Sequence, residues 1–192
     1  MKRVKVSNNV IRRLPRYLRK LDELTEAGVS RISSGELGRQ LGLTPSQIRQ
    51  DFSCFGEFGQ QGYGYKVTAL RAEIAAILGM DRGYSAILIG VGNLGQALMC
   101  NFSFKTWGFD LKAAFDIKPE LIGTDYEGVT IHDMATLPQY LSENKIDAAV
   151  LCVPKAHAIA TTELLTSHGI NAIWNFTNVE LTSPESSTIV EN

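Results

Sequence analysis

Apolar residues at Val10, Ile11, Leu14, Leu18, Leu21 and Leu24 recur at helical spacing and stop before Ala27-Gly28, which predicts a first helix. Pro15 is expected to kink or locally break it. Ser33-Ser34-Gly35-Glu36 reads as a capping box, Ser33 with Glu36, opening a second helix through Leu37 and Leu41 that stops at Gly42. Thr44 as N-cap and Pro45 at the first helical position then open a third, to about Phe52. Two helices joined by so short a turn have the layout of a helix-turn-helix, with Ile48 and Phe52 on the core face. Residues 55–67 alternate glycine with aromatic and polar residues and read as a two-stranded hairpin, a wing. Thr68 is expected to cap a further helix over 69–78, and the break at 79–83 places a domain boundary between 80 and 81.

From residue 84 the pattern changes to short apolar runs alternating with helical stretches. Strands are predicted at 85–89, 111–116, 129–131, 148–153 and 170–174, helices at 133–143 and 156–167, and a polar tail over 182–192. Such alternation implies a parallel sheet with helical crossovers. The fold class expected is therefore α/β, an N-terminal winged-helix domain (1–80) followed by a Rossmann-like parallel sheet (81–192).

Charge divides at the same place. Residues 1–80 hold 13 Lys and Arg against 7 Asp and Glu, and residues 81–192 hold 6 against 13. The first twenty residues contain Lys2, Arg3, Lys5, Arg12, Arg13, Arg16, Arg19 and Lys20 with no acid, as a segment facing a polyanion would, though a solvated helix face reads the same way. The third helix offers Thr44, Ser46, Gln47, Arg49 and Gln50, residue types that reach base edges or phosphates.

The glycine loop Gly90-Val91-Gly92-Asn93-Leu94-Gly95 follows the apolar run 86–89 and opens a helix, where a dinucleotide pyrophosphate would sit. Asp116, ending the run 111–115, lies 21 positions past Gly95, where a ribose-binding acid belongs. An acid there repels a 2′-phosphate, so NAD is favoured over NADP, with Lys118 partly offsetting the preference.

Other chemistry finds little support. His132, His157 and His168 are scattered, and Cys54, Cys100 and Cys152 form no CxxC pair, so reduced packed thiols are expected and no metal site. Serine-elbow and P-loop signatures are missing. Only 97 residues follow Gly95, and the sheet needs them, which argues against a dehydrogenase with a substrate domain. No apolar run approaches the ~20 residues of a membrane span, so cytoplasmic residence is the default expectation.

Five stretches carry a family resemblance: the basic first helix ending in Leu21-Asp22-Glu23-Leu24, Gln47-Ile48-Arg49-Gln50-Asp51-Phe52, FGEFGQQGYGY at 55–65, GVGNLGQAL at 90–98 and GINAIWNF at 169–176. In these the chain resembles the Rex family of redox-sensing transcriptional repressors over essentially its whole length. The resemblance implies a non-enzymatic homodimer that binds palindromic operator DNA and is released when NADH replaces NAD. Gly90 and residues Val91, Gly92, Asn93, Leu94, Gly95 and Gln96 become the pyrophosphate loop, Asp116 the adenosine-ribose contact, and Val153, Pro154, Asn175 and Phe176 parts of the nucleotide pocket. Arg49 and the wing tip Gly62, Tyr63, Gly64 and Tyr65 become DNA contacts beside Arg12, Arg13 and Arg16.

Two departures bear on signalling. Asn101 stands where many relatives place a tyrosine that takes part in the redox switch. Relatives also continue into a C-terminal helix exchanged between subunits, so a chain truly ending at Asn192 is expected to dimerise or sense NADH more weakly. The rival readings are a small NAD-dependent oxidoreductase and a nucleotide-binding subunit of an acyl-CoA ligase. Neither explains the basic first half.

Overall fold

The computed structural model describes residues 7–55, 63–182 and 188–192. The chain separates into two compact units, Met1–Asp81 and Arg82–Asn192. The first contains α1 (Asn8–Glu26), β1 (Arg31–Ile32), α2 (Ser34–Leu41), α3 (Pro45–Ser53), β2 (Tyr65–Lys66) and α4 (Val67–Ile77). Leu14, Tyr17, Leu18 and Leu21 of α1, Leu37 of α2, Ile48 and Phe52 of α3, and Val67, Leu70 and Ile74 of α4 form its core. Phe52 is the aromatic centre, edge-on to Tyr17 at 5.0 Å and to Tyr65 at 5.2 Å.

Several local expectations are corrected. α1 runs unbroken through Pro15, whose missing N–H would have faced the carbonyl of Ile11; both residues are exposed, so water can satisfy that group. The capping box is half formed. The Ser33 hydroxyl accepts the Glu36 N–H at 3.0 Å, but the Glu36 carboxylate turns to Arg39 and Gln40 instead of back to Ser33. Thr68 caps nothing, because α4 starts at Val67 with Lys66 as its N-cap.

At the end of the predicted wing, β2 pairs antiparallel with β1, ahead of α2. Gly64 makes this crossing possible, since at φ +68° a Cβ would lie 2.6 Å from the Ile32 carbonyl oxygen. Residues 56–62 of the predicted hairpin, Gly62 among them, lie outside the described residues.

The second unit is a doubly wound sheet. Its strands are β3 (Tyr84–Ile89), β4 (Phe109–Asp116), β5 (Asp125–Tyr126), β6 (Val129–Asp133), β7 (Ala148–Leu151), β8 (Ala172–Asn175) and β9 (Ile189–Glu191), and its helices α5 (Asn93–Asn101), α6 (Leu137–Glu143) and α7 (Lys155–Ser167). The order is β5-β6-β4-β3-β7-β8-β9, parallel throughout except the β5–β6 hairpin. Read along the parallel strands, this is the 3-2-1-4-5-6 winding of a dinucleotide-binding fold. Burial on both faces explains the continuous apolar runs: Ile87 and Ile89 pack with Phe115, Leu137 and Leu165, while Leu88 between them packs with Met99, Phe104 and Ile131.

Two strands differ from expectation. β5 was not foreseen, and part of the supposed polar tail is strand β9, added parallel to β8 and held by the Asn192 side chain, which accepts from Asn175 at 2.7 Å and from the Leu181 N–H at 2.9 Å. The expected helix over 133–143 is instead a 3-10 turn, Met134–Thr136, leading into α6. Among the described residues no helix is long and apolar enough to cross a membrane.

Candidate functional site

β3 is the switch point of the sheet, with β4 on one side and β7 on the other, so its C-terminal end opens into a crevice. Three glycines there do three different things. Gly90, at φ +94°, has Cys152 backbone atoms 2.8 Å from where a Cβ would be. Gly95 seats α5 on the loop, since a Cβ would lie 2.1 Å from the Gly90 carbonyl oxygen. At Gly92 a Cβ would meet nothing within 4 Å. Packing therefore requires the outer two glycines, whereas the middle one keeps space open at the start of α5. As N-cap, Gly92 has no side chain to close the first N–H groups of that helix, which stay available to an anion and lie at its positive end.

Asp116 does more than its sequence position implied. Buried at the end of β4, it accepts the Val91 N–H at 2.6 Å and the Lys118 N–H at 2.9 Å, so the acid expected to meet a ribose braces the glycine loop. Around it lies a cleft of about 540 Å³ lined by Ile89, Gly90, Gly92, Phe115, Asp116, Ile117, Lys118, Met134, Cys152, Val153, Pro154, His157 and Thr161. Gly90, Gly92, Asp116, Val153 and Pro154 thus come together as expected. Val91 is buried, and Asn93, Leu94, Gly95 and Gln96 form the first turn of α5, with Gly95 on its buried side.

Asn175 and Phe176 do not line this cleft. The Asn175 amide is used internally, donating to the Val179 carbonyl at 2.8 Å and to Asn192, and accepting the Thr177 N–H at 2.9 Å. Phe176 stacks at a tilt against Trp174, with ring centres 4.7 Å apart.

Sequence reading passed over the cleft roles of Ile117, Met134, Cys152, His157 and Thr161. The available signal was position. Ile117, Met134 and Cys152 directly follow the ends of β4, β6 and β7, and His157 and Thr161 share one face of α7 at i, i+4. Ile117 is 72% exposed, an apolar side chain at the cleft rim suited to the flat face of a base. Burial pushes the Cys152 thiol up to about 11, so it stays protonated at neutral pH and is no nucleophile. Among the described residues no group of three or more His, Cys, Asp or Glu could hold a metal ion.

The first unit builds its site around a buried carboxylate. Asp51 of α3 is fully buried and accepts from Arg13 through Nε at 2.7 Å and Nη2 at 2.8 Å, from the Tyr17 hydroxyl at 2.5 Å and from Gln47 Nε2 at 2.8 Å. Burial alone would raise the Asp51 carboxyl, yet these hydrogen bonds outweigh it and hold its pKa below the ordinary value. Burial, aided by the hydrogen bond to Asp51, raises the Tyr17 phenol.

Some residues expected to face DNA also serve the fold: Arg13 and Gln47 turn to Asp51, the exposed Arg16 donates to the Leu41 carbonyl at 2.7 Å, and Tyr65 is buried against Phe52. Arg12, Thr44, Ser46, Arg49, Gln50 and Tyr63 are exposed, with Thr44 also capping α3 by accepting the Gln47 N–H at 3.2 Å. Arg49 Nη1 donates to the Ser34 hydroxyl at 3.0 Å and Nη2 to the Ser46 hydroxyl at 3.2 Å.

A helix-turn-helix unit followed by a doubly wound nucleotide-binding unit defines a ligand-responsive DNA-binding protein. A family model described as "Putative DNA-binding protein N-terminus" matches residues 5–53, and one described as "CoA binding domain" matches residues 81–179. The redox-sensing transcriptional repressor Rex of Clostridium acetobutylicum is 48% identical over 191 residues, covering 100% of this chain and 89% of that protein. The repressor of the same name from Thermoanaerobacter pseudethanolicus is 50% identical, covering 100% and 85%. RSP, a Rex-family repressor solved in complex with β-NAD+ and operator DNA, superposes with a TM-score of 0.91 at 50% identity, covering 97% of this chain and 86% of that one. RSP in complex with β-NADH gives 0.90 at 46% identity, covering 98% and 87%. The chain belongs to the Rex family of redox-sensing transcriptional repressors, and it is a regulator rather than an enzyme.

Proposed function

We propose that the chain acts as a cytoplasmic homodimer whose first unit holds operator DNA and whose second unit holds NAD(H), with NADH lowering its affinity for the operator. The open space at Gly92, beside the uncapped start of α5, carries the nucleotide half of this reading: it accommodates a pyrophosphate where a helix terminus supplies N–H donors. Asp116 lies at hand for a ribose hydroxyl, and Ile117, Met134 and Val153 give the base an apolar setting. The residues present fit a dinucleotide, which serves as signal and undergoes no reaction here. For DNA, the exposed set Arg12, Ser46, Arg49 and Gln50 faces the duplex. A two-fold dimer presents two such helices to half-sites about 34 Å apart or a multiple of it.

Signalling requires only that NADH and operator favour different states of the dimer. A tenfold loss of DNA affinity at NADH saturation is about 1.4 kcal/mol of coupling, and DNA must weaken NADH binding by the same factor. The test is a gel-shift titration of the whole chain against a duplex enriched from a randomised pool by the protein itself, with NADH and NAD+ separately at saturation. Release by NADH and retention with NAD+ are expected. Equal affinity with both nucleotides rejects redox sensing by this chain.

A further inference from the structure

Arg49 is the lone Lys or Arg between Pro45 and Ser53, so any charged reading of DNA by α3 falls to it. Its guanidinium is exposed yet held at both ends. Ser46, one turn earlier on α3, accepts from Nη2, and Ser34, from the start of α2, accepts from Nη1. The cap of α2 is supplied by the Ser33 hydroxyl, which leaves the Ser34 hydroxyl without that duty. A guanidinium has five N–H donors; two engaged here leave three, and a bidentate contact to a guanine edge needs two.

An unrestrained exposed arginine samples many rotamers, and freezing it on binding opposes affinity. We infer that Ser34 is a positioning residue for DNA reading, its hydroxyl holding the Arg49 side chain between α2 and α3 so that the guanidinium meets its acceptor already ordered. This rests on the proposed reading of α3 as the DNA-reading helix. A serine in the same place that touched a phosphate itself would act without Arg49, which makes the two roles separable.

The experiment is a double-mutant cycle on the whole chain, with Ser34→Ala, Arg49→Ala and both together, measured on the enriched duplex and on random duplex of equal length. Ser34→Ala is expected to weaken binding to the enriched duplex about fivefold, the effect of one ordinary hydrogen bond, and to leave binding to random duplex and its salt dependence unchanged. In the Arg49→Ala background the same change is expected to do nothing, and Ser34→Thr, which keeps the hydroxyl, restores wild-type affinity. Equal losses on both duplexes, or a loss that persists without Arg49, would overturn the inference in favour of a direct phosphate contact. Undiminished affinity of Ser34→Ala would overturn it as well. Full affinity of Arg49→Ala removes the DNA-reading role of α3, and the inference falls with it. The far-ultraviolet dichroism transition in urea, measured in parallel, reports that the first unit of each variant is folded.

Discussion

The two units solve the problem of building a binding surface in opposite ways. In the first, side chains that sequence would assign to DNA are drawn into the fold: Arg13 and Gln47 converge with Tyr17 on the buried Asp51, and Arg16 ties α1 to the end of α2. In the second, the site is made of backbone, and its key positions are those where a side chain is absent, Gly90 and Gly95 for packing and Gly92 for space. In a small helical unit polar cross-links orient a helix as short as α3, whereas a parallel sheet already fixes the ends of its strands.

Both tryptophans, Trp107 and Trp174, lie in the second unit, so their fluorescence follows it alone while far-ultraviolet dichroism follows both. The contrast can be broken most severely at Asp51. Asp51→Ala strands the Tyr17 hydroxyl and the Arg13 guanidinium, and should cost the first unit roughly 3–5 kcal/mol in urea unfolding, with the tryptophan transition unmoved. A tryptophan transition shifted equally would mean that the units do not keep separate ledgers.

Next in size is Gly95→Ala, which forces a Cβ against the Gly90 carbonyl at 2.1 Å. It should destabilise the second unit by about 2–3 kcal/mol, read as a lower tryptophan midpoint, with the first unit unchanged. Gly92→Ala sharpens the comparison because its Cβ meets only space: stability should hold within about 0.5 kcal/mol while NADH affinity falls roughly tenfold by calorimetric titration. A stable Gly92→Ala variant that binds NADH normally would move the pyrophosphate elsewhere.

The smallest effect is acid dependence. The Asp51 carboxyl titrates lower in the fold than in the unfolded chain, so its contribution is complete above the unfolded value of about 3.9 and is lost as pH falls through the folded value. The dichroism midpoint of the first unit should therefore drop below about pH 4, with a shallower drop in Asp51→Asn. Identical slopes in the two proteins would show that other carboxyls carry the acid sensitivity.

How far the sequence could be read follows the same division. Glycine positions were legible, because a missing side chain in a strand-turn-helix context has few physical meanings, and the apolar runs located β3, β4, β7 and β8 to within a few residues. Asp116 was legible by spacing, but its bracing bond to Val91 was not, since that depends on how β4 lies against β3. Arg13 and Arg12 look alike in sequence; one faces a buried acid from another helix and the other faces solvent, a distinction created only when α1 packs on α3. The tail over 182–192 was polar enough to pass for a loop, yet β9 is an edge strand, where one flank needs no apolar cover.

Strand order has a further consequence, in time. The first unit is mostly helical and built from near neighbours, and it leaves the ribosome first; the sheet must join β3 to β7 across some sixty residues and is complete only when Ile189–Glu191 has docked on β8. Local folds form quickly and non-local parallel sheets slowly. During synthesis the helix-turn-helix unit is therefore expected to mature before the unit that carries the glycine loop, so that for an interval each new molecule holds one finished domain and one still waiting for its last strands.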